Sequence, residues 1–89
     1  MSDLLLAAPV RAGVLAFLSI QGEGDFTSLA RALGIANNTL SSHLQQLETA
    51  GWVELKRGFF GRKPRTTVVL TSAGRAGWTD HLEQLKGDS

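Results

Sequence analysis

The sequence predicts an α+β domain, mostly α-helical, in which a three-helix core precedes a two-stranded hairpin and a C-terminal helix. Three features predict it: apolar residues at helical spacing up to residue 50, β-branched and aromatic runs within 52–70, and a helical seam over 72–86. The 89 residues fit a single domain, 1–89, and no repeat, linker or low-complexity segment interrupts the elements.

The first helix is predicted to begin at Pro9, because proline suits the first turn of a helix. The helix should end near Ile20, since segment 21–25 contains two glycines and is predicted to be a loop. The apolar residues of one helical face are Val10, Val14, Phe17 and Leu18.

Two helices joined by a short glycine-containing turn are predicted over residues 27–49, which is the pattern of a helix-turn-helix. Thr27 or Ser28 can cap the first of them. Ala30 is small where the two helices cross closely, and Gly34 suits the position after a helix C-terminus.

The third helix, predicted from Asn37 to Thr49, has one apolar side and one uncharged polar side. Leu40, Leu44 and Leu47 are spaced to face the core, and Gly51 should stop the helix. The opposite side consists of Asn38, Thr39, Ser41, Ser42, Gln45 and Gln46. These residues are mediocre helix formers, so we interpret them as a base-reading surface for the DNA major groove rather than as an ordinary solvated face.

From Trp52 the pattern changes to two short strands, 52–55 and 66–70, which predict a hairpin. Segment 56–65 between them contains glycines and a proline and is predicted to form a long, irregular tip. We expect one ring of Phe59 and Phe60 to pack under the hairpin and the other to be exposed. The cations of the tip are Lys56, Arg57, Arg62, Lys63 and Arg65.

The last helix, 72–86, is predicted to be capped by Ser72 and to carry a narrow apolar seam. A domain of this size cannot hide every apolar residue, so we expect the seam to form a homodimer rather than to pack on its own domain. The predicted interface residues are Leu4, Leu5, Leu6, Trp78, Leu82 and Leu85.

Several motifs occur together in the order expected of one family. They are Leu-Ser-Ser-His-Leu over 40–44, Leu47-Glu48 followed by Ala-Gly-Trp-Val over 50–53, Arg-Lys-Pro-Arg-Thr-Thr over 62–67, and Leu-Thr-Ser-Ala-Gly-Arg over 70–75. Across roughly residues 9–80 the chain resembles winged helix-turn-helix transcriptional regulators, especially MarR-like and ArsR-like ones. The resemblance implies a wing over 52–70, a homodimer made by the terminal helices, and a third helix that enters the major groove.

Candidate DNA contacts follow from side-chain chemistry and this resemblance. The amides of Asn38 and Gln45 can bond adenine bidentately, while hydroxyl groups of the same helix can bond a base edge or a phosphate. The family often has Ser or Thr where Ala36 stands, so we expect Asn37 to take over as the cap. The backbone contacts are predicted to be the five wing cations together with Thr27 and Ser28.

The charge distribution is more informative than its sum. The net charge is +1, yet six of the nine basic residues lie between Lys56 and Arg75, and no acid lies between Glu54 and Asp80. Such a local basic patch can attract a polyanion. The N-terminus lacks the basic leader and long apolar run of a secretory signal, and no stretch approaches a membrane span, so we expect a cytoplasmic protein.

Other classes of site are disfavoured by the residue types present. The absence of cysteine excludes disulfides and thiolate metal sites. His43 is interpreted as a half-buried structural residue, and Asp80, His81 and Glu83 as a solvated face, so no metal or cofactor is expected. No nucleophile with a base at a recognisable spacing, phosphate loop or apolar carboxylate pair is found, which argues against an enzyme.

The leading hypothesis is a sequence-specific transcriptional regulator that binds double-stranded DNA as a homodimer. The alternative is a winged-helix protein-interaction module without DNA binding, which the low net charge and the Phe59-Phe60 pair favour. A small-molecule effector would fit between the terminal helices of a dimer, and nothing in the sequence identifies one.

Overall fold

The computed structural model describes residues 4–87, with the backbone alone for Leu4 and Leu5. A short 3₁₀ helix, Leu4–Ala7, precedes four α-helices and three strands. The elements are α1 (Pro9–Gln21), β1 (Glu23–Asp25), α2 (Phe26–Leu33), α3 (Asn37–Thr49), β2 (Val53–Phe60), β3 (Lys63–Leu70) and α4 (Ser72–Gly87). The predicted fold class is thereby confirmed, with one strand more than expected.

The additional strand, β1, lies where the sequence predicted the loop 21–25. It pairs antiparallel with β3, Glu23 opposite Val69 and Asp25 opposite Thr67, so the three-stranded sheet has the order β1-β3-β2. Three residues are too few to show an alternating pattern. The strand forms because β3 offers a free edge to the chain that leaves α1, which local propensity does not reveal.

The wing is a regular two-stranded ribbon through segment 56–65, where an irregular tip was predicted. Cross-strand pairing continues to Phe60 opposite Lys63. Gly61 and Arg62 are left as a two-residue turn, and Gly61 has a φ of 64°. Such tight hairpin turns require positive φ, which glycine adopts without strain.

Pro64 lies within β3, although proline cannot donate a ladder hydrogen bond. It sits opposite Phe59 on one side, and on the other side β1 pairs only with Thr67 to Val69. The open edge beyond Thr67 tolerates the missing N–H. The prediction of a loop from Gly58, Gly61 and Pro64 was therefore wrong, because cross-strand pairing outweighs these local signals.

The cap of α2 is Asp25, which was predicted to lie in a loop. Its Oδ2 accepts the backbone N–H of Ser28 at 3.1 Å, and α2 begins at Phe26. Thr27 and Ser28 were each predicted as the cap, and both lie inside the helix instead. Gly34 follows the helix in the left-handed conformation, as predicted.

The predicted caps of α3 and α4 were also wrong, each by one residue. Ala36 occupies the cap position of α3 and offers no side-chain hydrogen bond, while Asn37 is already helical. At α4, Ser72 is helical, and Thr71 provides the cap by accepting the N–H of Gly74 on its Oγ1 at 3.0 Å. Cap identity depends on where the chain enters the helix, which periodicity fixes only within a residue or two.

The core lies between α1, α2, α3 and the inner face of the sheet. All three predicted leucines of α3 are fully buried, as are Val14 and Leu18 of α1. α4 closes the core at the base of the wing, where Gly74 is required because a Cβ there would overlap the carbonyl oxygen of Trp52. None of the helices between residues 4 and 87 combines the length and apolar composition needed to cross a bilayer.

Candidate nucleic-acid interface

The uncharged side of α3, called here the polar flank, is exposed along the length of the helix. Within residues 4–87 none of its side chains hydrogen-bonds to another part of the chain. Their donors and acceptors are therefore available to a partner. The residues of the polar flank are Asn38, Thr39, Ser41, Ser42, Gln45 and Gln46, and all six are exposed.

The helix beneath the flank is held firmly. Leu40, Leu44 and Leu47 are each 0% exposed, and the half-buried His43 links α3 to α1. The Nδ1 of His43 lies 3.1 Å from Nη1 of Arg11, whose guanidinium donates to it. This agrees with the predicted structural role of His43. The flank is therefore presented on a fixed cylinder rather than on a mobile segment.

The N-termini of α2 and α3 differ in how their N–H groups are used. At α2, Asp25 accepts both the N–H and the hydroxyl of Ser28, at 3.1 and 3.3 Å. These are two of the groups that were predicted to hold a phosphate, and a carboxylate occupies them instead. At α3, Ala36 leaves the first N–H groups without a side-chain acceptor.

All five wing cations are exposed, but they are not equivalent. Arg65 is oriented by the chain itself: its Nε lies 3.3 Å from Oδ1 of Asp25, and its Cζ lies 5.6 Å from the ring centroid of Phe60. Within the described residues the other four, which are Lys56, Arg57, Arg62 and Lys63, form no ion pair. The free charge of the wing is thus concentrated away from Arg65.

Comparison with known proteins identifies the fold just described. Residues 10–87 match the family described as winged helix DNA-binding domain. The chain belongs to this family. The resemblance found in the sequence is thereby confirmed, and with it the prediction of a DNA-binding regulator.

Two proteins of comparable length are similar to this winged helix chain. A transcriptional regulator homologue from Pyrococcus horikoshii OT3 is 31% identical, with a TM-score of 0.88 over 93% of this chain and 82% of its own. The uncharacterized protein MJ0432 of Methanocaldococcus jannaschii is 28% identical over 85% of this chain and 83% of its own length.

A third relative has been solved with DNA. The structure of overoxidized AbfR bound to DNA is 27% identical, with a TM-score of 0.76 over 86% of this chain. This winged helix chain spans 56% of the length of AbfR. Regulators of the MarR and ArsR families are also among the structural neighbours.

The predicted dimer residues lie in different environments. Trp78 of α4 is half-buried against the core of its own chain and packs on the ring of His81 at 5.7 Å between centroids. Leu6 is 6% exposed in the same core, so its side chain is not available to a partner. Leu82 and Leu85 are 41% and 54% exposed. Leu4 and Leu5 were also predicted, and their side chains lie outside the described part of the chain.

Both rings of the wing are exposed, which corrects the expectation that one packs under the hairpin. Phe59 is 76% and Phe60 is 71% exposed. The ribbon extends beyond the core, whose last wing contacts are made by Leu55 and Val68. Adjacent strand residues point to opposite faces, so no core is within reach of either ring.

One residue that shapes the interface was missed by sequence reasoning. Asp25 caps α2 and orients Arg65, so it joins the helix-turn-helix to the wing. An aspartate directly before a helical pattern is a known cap signal and could have indicated the first role. The second role depends on the pairing of β1 with β3, which the sequence did not reveal.

Proposed function

We propose that this winged helix protein is a sequence-specific, homodimeric transcriptional regulator. It places α3 in the major groove of duplex DNA and the wing on the sugar-phosphate backbone or in the neighbouring minor groove. The observation that carries the proposal is the polar flank: six exposed, uncharged side chains without internal partners, on a helix whose other side is buried. The DNA-bound structure of the similar AbfR supports it.

Base discrimination is assigned to the flank. The amides of Asn38 and Gln45 each offer a donor and an acceptor, which matches the N7 acceptor and N6 donor of adenine in the major groove. The hydroxyls of Thr39, Ser41 and Ser42 bond either a base edge or a phosphate, and Gln46 contacts the border of the site. The uncapped N–H groups at the start of α3 face a phosphate.

Affinity is assigned mainly to the wing. Lys56, Arg57, Arg62 and Lys63 bind phosphates, which fixes the position of the protein on the duplex without reading its sequence. Arg65 contributes less than these four, because part of its charge is already compensated by Asp25. Thr27 is exposed at the start of α2 and adds a hydroxyl contact to the backbone.

The dimer is assigned to the terminal helices. Leu82 and Leu85 are exposed on α4, and covering them with the same surface of a second copy removes apolar area from water. Leu4, Leu5 and the exposed part of Trp78 complete this interface. Two copies of α3 then enter successive major grooves about 34 Å apart, on a near-palindromic site.

Selection of bound duplexes from a random-sequence library tests the proposal. We expect enrichment of a near-palindrome whose half-sites are separated by about one helical turn. Sedimentation of the protein alone should give a dimer, and Leu82→Ser with Leu85→Ser should give a monomer. Failure to bind any pool of random duplexes at low salt would end the proposal.

A second candidate is a winged-helix module that binds another protein and not DNA. Exposure of both wing phenylalanines favours it. Here a purified protein partner would bind the unmodified chain and be lost when both rings are replaced by alanine, while random duplexes would not compete with it.

A further inference from the structure

The end of the wing carries an apolar pair that phosphate binding does not explain. Phe59 lies directly opposite Pro64 in the register of β2 and β3. Both occupy the face of the ribbon that carries Val53 and Leu55 nearer the core, because side chains two apart share a face. Phe59 nevertheless keeps 76% of its surface exposed.

The neighbouring ring, Phe60, is on the opposite face and is engaged. The guanidinium of Arg65 lies over it at 5.6 Å, and Asp25 holds that guanidinium through its Oδ1. Phe59 has no aromatic or cationic ring contact among the described residues. The two phenylalanines thus form a matched pair, one ring supported by the chain and one presented to solvent.

The surroundings of Phe59 select a polyanion as its partner. Arg57 is on the same face of the ribbon, and Arg62 and Lys63 follow at the turn, while no acid lies in segment 55–79. A purely apolar protein surface would bury these cations unpaired, which is costly. A DNA minor groove offers sugars and base edges to the ring and a row of phosphates on each side to the cations.

We propose that Phe59, backed by Pro64, enters the minor groove as an apolar wedge and bends the duplex. Apolar side chains inserted from the minor groove partly unstack a base step and kink the helix axis. Pyrimidine–purine steps such as TA deform most easily, and A/T pairs carry no guanine amino group in the minor groove. The inference rests on the proposed function and adds a preference for deformable steps beside the site read by α3.

A bending assay on a defined duplex tests it. The probe is a short duplex of alternating dA and dT that carries 2-aminopurine at one adenine position and a dye at each end. At saturating protein, the unmodified chain should raise 2-aminopurine fluorescence, because the step unstacks, and bring the end dyes closer. An alternating dG-dC duplex with end dyes should be bound with less bending.

Three variants separate the wedge from the charge. Phe59→Ala should lose the fluorescence rise and the bend, and should bind about tenfold more weakly. The slope of log affinity against log salt should stay unchanged, since no phosphate contact is removed. Phe60→Ala, the matched control on the other face, should bend DNA like the unmodified chain, and Phe59→Leu should restore most of the bend because leucine also acts as a wedge.

Other results would overturn the assignment. Bending retained by Phe59→Ala, or lost equally in Phe60→Ala, would show that Phe59 is not the wedge. A change in the sedimentation of Phe59→Ala together with unaltered bending would assign the ring to a contact between copies of the chain. Binding without any bend by the unmodified chain would sink this inference and leave the proposed function standing, whereas absence of binding would remove both.

Discussion

The polar flank of α3 and the wing are both exposed and both hydrophilic, but they are built from different chemistry. The flank has no charged residue, and its six side chains have no partner within the described chain. The wing carries five cations and two exposed rings, and Asp25 restrains one of those cations. Exposed polar surfaces on one small domain therefore need not have the same task.

The difference has a direct physical consequence for recognition. Amide and hydroxyl groups act over hydrogen-bond distances and in fixed directions, so they distinguish one base edge from another. Cations act mainly by releasing counterions from DNA, which depends on salt and hardly on sequence. Substitutions in the two regions should therefore change different measured quantities.

The largest effect is expected from the double substitution Arg62→Ala with Lys63→Ala. If each cation neutralises one phosphate, affinity at low salt falls about tenfold for each, and the slope of log affinity against log salt becomes shallower by about two units. Every duplex should be affected alike. Titrations by fluorescence anisotropy at several salt concentrations measure both quantities.

The charge-matched control for this prediction is Lys86→Ala on α4, which removes a cation outside the wing. It should leave the salt slope unchanged. A loss confined to one preferred duplex in the Arg62 and Lys63 double variant would mean that the wing discriminates between sequences, and the distinction between the two regions would fail.

A smaller effect is expected from Gln45→Ala in the flank. Loss of a bidentate contact to adenine should cost about 1–3 kcal/mol on the preferred duplex, and preference at one base position should relax. Non-specific affinity and the salt slope should remain as they are. Competition titrations with single-base variants of the selected site measure the change.

Thr49→Ala provides the control within the same helix. The Oγ1 of Thr49 already donates to the carbonyl oxygen of Gln45 at 2.9 Å, so its loss removes no group that is free to contact DNA. Equal losses on all duplexes for Gln45→Ala would contradict a base-reading role and favour a general disturbance of α3.

The two regions also differ in how far the sequence predicts them. The bounds of α3 and the burial of Leu40, Leu44 and Leu47 follow from spacing within one helix, and exposure of the opposite side follows at once. The wing depends on pairing between distant residues. Glycine, proline and charge in 56–65 indicate a loop locally, but pairing carries both strands to Phe60 and Lys63.

The same reason explains what was missed around the candidate site. The contact of Asp25 with Arg65 exists only because β1 lies beside β3, and nothing in the segment Glu23–Asp25 alone predicts a strand. The exposure of both wing rings follows from the length of the ribbon beyond the core. Contacts set by tertiary pairing were therefore missed, whereas surfaces set by helical periodicity were predicted.

The smallest effect is expected at Asp25, where the two regions meet. Asp25→Ala removes the cap of α2 and should lower the free energy of unfolding by about 1 kcal/mol. Asp25→Asn keeps a side-chain acceptor for the N–H of Ser28 and loses only the half-exposed ion pair with Arg65, so it should cost no more than about 0.5 kcal/mol. Urea unfolding of the two variants measures this difference.

DNA binding by the same two variants should move in the opposite direction to stability. Each substitution removes a negative charge beside the wing and releases Arg65 from its partner. Affinity at low salt should therefore rise, and the salt slope should steepen by up to about one unit as Arg65 gains a phosphate. Equal destabilisation by alanine and asparagine would instead assign the stabilising role to the ion pair. An unchanged salt slope would mean that Arg65 supports the wing without binding DNA, which would leave the anchoring task to the other four cations.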